Sequence, residues 1–156
     1  MRLLVLAVGT RMPAWVDDAF GEYAKRMPRH MLLELIELRA EQRTNGKPAE
    51  ALRRAEAARI VQALPDGVMK VALDEHGREF TTDQLSKWLD RTTGEGRDIA
   101  FLIGGADGLA PDLINSADLK LRLSAFTLPH ALARVVLAEQ LYRVVSIMQN
   151  HPYHRP

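Results

Sequence analysis

Five runs of apolar residues, separated by segments with helical spacing, constrain the fold of this chain more than any other feature of its sequence. The first run, Leu3–Val8, is almost unbroken and rich in branched side chains, which is typical of a strand covered on both faces. Four more runs predict strands, namely "MLLELIEL", "VMKVALD", "DIAFLIGG" and "LKLRLS". Because strands that alternate with helices and are joined by short loops form parallel sheets, the pattern predicts an α/β fold with a mostly parallel sheet of about five strands covered by helices.

Helix and turn signals fill the segments between these runs. Helices are predicted for "PAWVDDAFGEYAKRM", "AEALRRAEAARIVQAL", "TDQLSKWLDRT", the short "APDLINSA" and "PHALARVVLAEQLYRVVSIMQN". Thr81 or Thr82 can cap the third helix, while Asn45-Gly46 and "EHGRE" predict turns. The apolar stripe of the last helix is wider than one face needs, so we expect it to pack on its own sheet and, through Val136 or Leu141, on another subunit.

Length and composition limit the class of protein. A chain of 156 residues with 47% hydrophobic residues can close one core, so we expect a single domain over 1–156. The absence of cysteine excludes a disulfide framework and a thiolate metal site. Since the first apolar run is too short to span a membrane, we expect a cytoplasmic protein. With a net charge of +1, any contact with RNA must come from a local cluster of residues.

Two loops at predicted strand ends are candidate ligand sites, because ligands of parallel sheets bind where the strands end. In "LIGGADGLAP" the glycines allow backbone to approach a ligand closely, although an ordinary glycine turn explains the same letters. In "LSAFTLPH" the polar contacts must come from backbone groups and from Ser124 and Thr127. Such a lining suits a neutral heterocycle better than a phosphate, and a strand-to-helix loop with Ser or Thr capping is the alternative interpretation.

The carboxy-terminal "QNHPYHRP" places side chains that can donate protons or stack on a base where chain ends are usually unconstrained. His151 and His154 have an HxxH spacing, but no thiolate or flanking acidic residue accompanies them, so we expect no metal. A hydrolase triad built on Ser124, His130 and an aspartate is disfavoured, because the sequence has no GxSxG motif.

Four motifs, taken together and in order, carry a family resemblance that covers the whole chain. They are "AVGTRMP", "LIGGADGL", "LSAFTLPHALARVVLAEQLYR" and "NHPYHR". They resemble the SPOUT-class methyltransferases that methylate N3 of a pseudouridine in the 23S rRNA of the large ribosomal subunit. The resemblance implies a C-terminal trefoil knot, S-adenosylmethionine as methyl donor, and a homodimer whose site is completed by the second subunit.

The resemblance also implies roles for individual residues. The cofactor pocket of the family falls on Leu73, Gly104, Gly105, Leu123, Ser124, Ala125, Phe126, Thr127 and Leu128. The tail residues Tyr153, His154 and Arg155 are then expected to position the target base and to favour its deprotonated form. The expected partner is 23S rRNA in an assembled ribosome, with no membrane and no metal.

Two other functions compatible with these residues remain open at the level of sequence. One is a ribosome-binding or RNA-binding protein without chemistry, in which the glycine loop is structural. The other is a nucleotide-binding hydrolase with a doubly wound sheet. Binding of S-adenosylmethionine would favour the methyltransferase, and binding of ATP or GTP in its place would favour the hydrolase.

Overall fold

The computed structural model describes residues 1–44 and 46–156, so Asn45 of the predicted Asn45-Gly46 turn lies outside the described residues. The strands are β1 (Arg2–Val8), β2 (Leu32–Leu38), β3 (Met69–Glu79), β4 (Ile99–Ile103) and β5 (Leu119–Arg122). They form one sheet in the order β2-β1-β4-β3-β5, and every neighbouring pair is parallel. The predicted α/β class and the five-stranded parallel sheet are confirmed.

The helices are α1 (Ala14–Ala24), α2 (Ala49–Ala63), α3 (Thr82–Thr93), α4 (Pro111–Ser116) and α5 (His130–Met148). Thr81 caps α3 through its side chain, which accepts from the backbone N–H of Gln84, while the Gln84 side chain accepts from the Thr81 N–H. This reciprocal capping box satisfies two backbone donors that the first helical turn leaves free. Within the described residues, no helix is both long enough and apolar enough to cross a membrane.

Both faces of the sheet are covered, which explains why the first apolar run does not alternate with polar residues. Leu3 and Val5 of β1 pack into one cluster with α1, α3 and α5, whereas Leu4 and Leu6 pack into a second cluster with α2 and α4. All four side chains are fully buried. Since burial of one such side chain contributes about 1.5–3 kcal/mol, this strand anchors the two layers to each other.

The predicted "EHGRE" turn is wrong, because β3 continues through it. Leu121 of β5 is paired with Leu73 and again with Arg78, so the intervening residues bulge out of the ladder. A Cβ atom on Gly77 would lie 2.8 Å from the backbone of Leu121, and only glycine permits that approach. The bulge places Asp74, Glu75 and His76 beside the carboxyl end of β5.

Candidate active site

A cavity of about 440 Å³ lies at the carboxyl ends of β3 and β5. Its volume falls in the range of about 300–1,000 Å³ that is usual for small-molecule sites. The lining includes seven of the nine residues predicted for the cofactor, namely Leu73, Leu123, Ser124, Ala125, Phe126, Thr127 and Leu128. Gly104 and Gly105 are not among its lining residues, so the fold brings the predicted set together only in part.

Sequence reasoning assigned no cofactor-binding role to four polar side chains of this cavity. Asp74, Glu75, His76 and Arg122 also line it. The Nη2 atom of Arg122 donates to the backbone oxygen of Ala125 at 3.4 Å, and its Nε is buried without a partner among the described residues. Asp74 and Arg122 directly adjoin the predicted Leu73 and Leu123 in sequence, and Glu75 and His76 follow Asp74, so proximity in sequence was the available signal.

The loop that closes the cavity stands away from the core. Ser124 Oγ accepts from the backbone N–H of Phe126 at 2.9 Å, a local bond that turns the chain before α5 begins at His130. The Phe126 side chain is 84% exposed, which is extreme for a large apolar ring. The loop therefore presents backbone groups and one uncovered ring to whatever binds there.

The glycine loop is explained by the packing of the chain itself. A Cβ atom on Gly104 would lie 2.5 Å from the carbonyl carbon of Gly108. A Cβ atom on Gly105 would lie 3.1 Å from Val8 and 3.3 Å from a carboxylate oxygen of the buried Glu56. Close packing alone thus requires glycine at Gly104 and favours it at Gly105, and a substitution at either would disturb the fold whether or not a ligand binds.

The tail folds back onto α5 and does not fray. The ring of Tyr153 lies edge-on against Tyr142, with 4.7 Å between centroids, and its hydroxyl donates to Glu139 Oε1 at 3.3 Å. Burial raises the pKa of Tyr153, and the neighbouring Glu139 carboxylate raises it further. The guanidinium of Arg143 lies 4.7 Å from the centroid of the Tyr153 ring. Its Nη1 lies 3.2 Å from Nδ1 of His154.

The tail residues differ in their exposure to solvent. His151 and Arg155 are exposed, whereas Tyr153 and His154 are half-buried. Within one chain the tail is far from the cavity: His154 contacts Arg143, which lies ten residues, or about 15 Å, along α5 from the cavity residue Ala133. In a single subunit, the residues predicted for the cofactor and the tail residues predicted for the target base are therefore apart.

Helix α5 contributes a buried arginine to an ion pair that the sequence did not suggest. Arg134 is fully buried, and its Nη1 lies 2.7 Å from Glu37 Oε2. Its Nη2 donates to the backbone oxygen of Gly9 at 2.6 Å. Because Gly9 and Glu37 lie at the ends of β1 and β2, this side chain ties the start of α5 to the carboxyl edge of the sheet.

One of the two residues expected to face another subunit belongs to the core. Leu141 is fully buried, so of the two alternatives only Val136 can face another subunit. Helix α5 packs against both α1 and α3, which accounts for much of its wide apolar stripe. Val136 remains half-buried and accessible. Among the described residues there is no cluster of three or more His, Asp or Glu that could hold a metal ion.

Comparisons with known proteins identify the family. The family described as "Predicted SPOUT methyltransferase" matches residues 1–154. A protein of Paraburkholderia xenovorans named ribosomal RNA large subunit methyltransferase H is 57% identical over 155 residues, covering 99% of both chains. A Bordetella pertussis protein of the same name is 56% identical over the same shares.

A likeness to a solved structure agrees with the fold. A probable methylase family protein from Haemophilus influenzae superposes with a TM-score of 0.54 at 14% identity, covering 99% of this chain and 70% of that chain. The family match spans almost the whole chain, and the relatives share more than half of their residues with it. This chain belongs to the SPOUT methyltransferase family.

Proposed function

We propose that this protein transfers the methyl group of S-adenosylmethionine to N3 of a pseudouridine in 23S rRNA. The observation that carries the proposal is the cavity at the carboxyl ends of β3 and β5, which is lined by an uncharged loop in a chain of this family. The names of the relatives at 55–57% identity support rRNA of the large subunit as the substrate. Such a reaction takes place in the cytoplasm, where ribosomes are present, and 1–156 acts as one catalytic domain.

The residues of the cavity fit the proposed cofactor. Backbone groups of the loop 123–128 can hydrogen-bond an adenine ring without a charged side chain. Asp74 and Glu75 can accept hydrogen bonds from ribose hydroxyls. Gly104 and Gly105 shape the adjoining turn. When bound, S-adenosylmethionine supplies a methyl group on a positively charged sulfur, which is open to in-line attack.

The tail provides the target-base side of the proposed site. Tyr153, His154 and Arg155 combine an aromatic ring, an imidazole and an exposed cation, which together can orient a base and stabilise its deprotonated imide. Since the tail and the cavity lie at different places along α5, a second copy of the chain is needed to bring them together. The proposed enzyme is therefore a homodimer with composite sites.

Cofactor binding and methyl transfer are tested separately. Calorimetry is expected to show binding of S-adenosylmethionine, and Ala125→Trp is expected to abolish it because the indole fills the cavity from an exposed position. Ala58→Trp, at an exposed position of α2, is the matched control and leaves binding unchanged.

Transfer of labelled methyl groups to ribosomes and to naked rRNA, followed by mapping of the modified nucleotide, then identifies the substrate. Binding of ATP or GTP in place of the cofactor, or RNA binding without methyl transfer, would contradict the proposal.

The subunit arrangement is tested by sedimentation. Wild-type protein is expected to be a dimer at micromolar concentration, and Val136→Asp to shift it toward monomer because a charge would be buried at the interface. Val61→Asp on α2, where the side chain is 59% exposed, is the matched control. A monomeric wild type at this concentration would exclude a composite site.

A further inference from the structure

We propose that Arg143 is a positioning residue that fixes His154 in its neutral Nε2–H tautomer, so that His154 donates a hydrogen bond to a carbonyl oxygen of the target base and does not accept its N3 proton. The proposal rests on the proposed function, of which it specifies the chemistry of the tail.

Glu139 and Tyr153 hold the Arg143 guanidinium independently of its contact with His154. Its Nε and Nη2 atoms lie 2.7 Å and 2.6 Å from Glu139 Oε1, one helical turn earlier on α5. Its side chain is only 25% exposed and lies over the ring of Tyr153. Two close contacts to one carboxylate and an aromatic platform leave little rotational freedom. The guanidinium can therefore impose an orientation on His154.

The contact between these two side chains determines where the imidazole carries its hydrogen. A guanidinium has only N–H donors, so the 3.2 Å contact from Arg143 Nη1 requires a lone pair on Nδ1 of His154. A neutral imidazole with a lone pair on Nδ1 has its hydrogen on Nε2. Among the described residues, Nε2 has no hydrogen-bond partner, so this N–H is available to a ligand.

Tyr153 does not act as the general base for the N3 proton either. Its hydroxyl already donates to Glu139, and its raised pKa, caused chiefly by burial, keeps the phenol protonated near neutral pH. Its ring instead forms the platform under Arg143. The two half-buried tail residues thus contribute an aromatic ring and a hydrogen-bond donor, and neither presents a basic lone pair to an imide proton.

A donor at this position assists the reaction by stabilising charge. The N3–H proton of the base is released to solvent, and the electron pair left on N3 forms the new N–C bond as the C–S bond of the donor breaks. Negative charge on the deprotonated imide is shared with the two carbonyl oxygens that flank N3. A preorganised N–H beside one of these oxygens favours that state, and loss of one such donor typically slows an enzyme by about 10²–10³-fold.

Substitution of His154 distinguishes a donor from a base. Glutamine supplies an amide N–H but cannot take up a proton, whereas phenylalanine supplies neither group. With ribosomes as substrate, His154→Gln is expected to retain kcat within about tenfold of wild type, and His154→Phe to lose about 10²-fold or more. Equal loss in both variants would overturn the donor role.

Substitution of Arg143 tests the positioning role. Arg143→Met keeps the aliphatic stem and is expected to lower kcat in the wild-type background, but to have little further effect in His154→Gln, because an amide has no tautomer to fix. Equal effects in both backgrounds would show a merely structural role. The matched control is Arg26→Met, since Arg26 also lies over the Tyr142 ring, at 5.9 Å, without touching His154.

The tautomer is also read directly by ¹⁵N NMR of the imidazole. Wild-type protein is expected to show a protonated Nε2 and an unprotonated Nδ1, and Arg143→Met a mixture of tautomers. A wild-type spectrum with the hydrogen on Nδ1 would overturn the proposal. Because this readout needs no substrate, it separates failure of the proposal from failure of the proposed function, which would appear as wild-type protein without methyl transfer.

Discussion

At the scale of single residues, the sequence indicated most of the residues that come together around the cavity but not which side chains contact one another. Tyr153 and His154 were predicted as one catalytic group, yet they make different contacts: the Tyr153 hydroxyl donates to Glu139, and Nδ1 of His154 lies beside Arg143. Arg134 was not predicted at all, because arginine is rarely buried and nothing local marks an exception. Its partner Glu37 lies 97 residues away, in a strand whose other letters are mostly apolar. The hydrophobic periodicity of a sequence carries no information about a pairing between residues so far apart in the chain.

Loss of the ion pair between the buried Arg134 and Glu37 is expected to destabilise the protein. Arg134→Leu leaves the half-buried Glu37 carboxylate and the Gly9 carbonyl without their donor, so we expect the free energy of unfolding to fall by about 1–3 kcal/mol. Glu37→Gln keeps an acceptor for the same guanidinium and should cost less. Urea denaturation of both variants measures the difference. A loss below about 1 kcal/mol in Arg134→Leu would contradict the structural role of the pair.

Asp98 is expected to make stability depend on pH at the acidic end. Its carboxylate accepts from the backbone N–H of Arg2 at 2.8 Å and from Nε at 3.1 Å, and the backbone bond is the main cause that lowers its pKa. Because the folded pKa lies below the unfolded value of about 3.9, this stabilisation is complete above that value and is lost as the pH falls through the folded pKa. Asp98→Asn should therefore flatten the decline of unfolding free energy below about pH 5, whereas Asp66→Asn in an exposed loop should not.

At the scale of elements, periodicity predicted where strands and helices lie but not how closely they approach. The bounds of β1, α2 and α3 match the predicted segments within a few residues. The continuation of β3 was missed because the letters "EHGRE" are typical of a turn, and only the close approach of β5 at Gly77 turns them into a bulged strand. Helix α5 was predicted correctly, but its burial depends on α1 and α3 together, so Leu141 could not be assigned to core or interface in advance.

Removal of the tail separates stability, cofactor binding and catalysis. A chain ending at Asn150 loses the half-buried Tyr153 and the bond from the His151 N–H to Ser146, so we expect it to be about 1–2 kcal/mol less stable in urea. Calorimetry should show nearly unchanged affinity for S-adenosylmethionine, because the cavity is lined by other elements. Methyl transfer to ribosomes should be almost abolished. Full activity of this truncated protein would exclude the tail from the catalytic site.

At the scale of the whole molecule, the sequence predicted the class of fold and the strand ends at which a cavity forms. The trefoil knot implied by the family resemblance stays a prediction, since hydropathy reports burial and carries no information about threading. The pairing of subunits is equally inaccessible to a pattern within one chain. What the structure adds is a separation of about 15 Å along α5 between the cavity residue Ala133 and Arg143, which contacts the tail residue His154.

Mixing two inactive variants tests whether the sites are shared between copies. Ala125→Trp lacks a usable cavity but keeps its tail, whereas the chain ending at Asn150 keeps its cavity and lacks the tail. In a heterodimer of the two, one of the two composite sites combines an intact cavity with an intact tail. Because random exchange makes half of the dimers mixed, we expect methyl transfer to return to about one quarter of the wild-type rate. Mixing each variant with itself provides the control and should restore nothing. If mass spectrometry confirms heterodimers and activity stays absent, each site must be built from a single chain, and the tail must reach the cavity by a rearrangement within its own subunit.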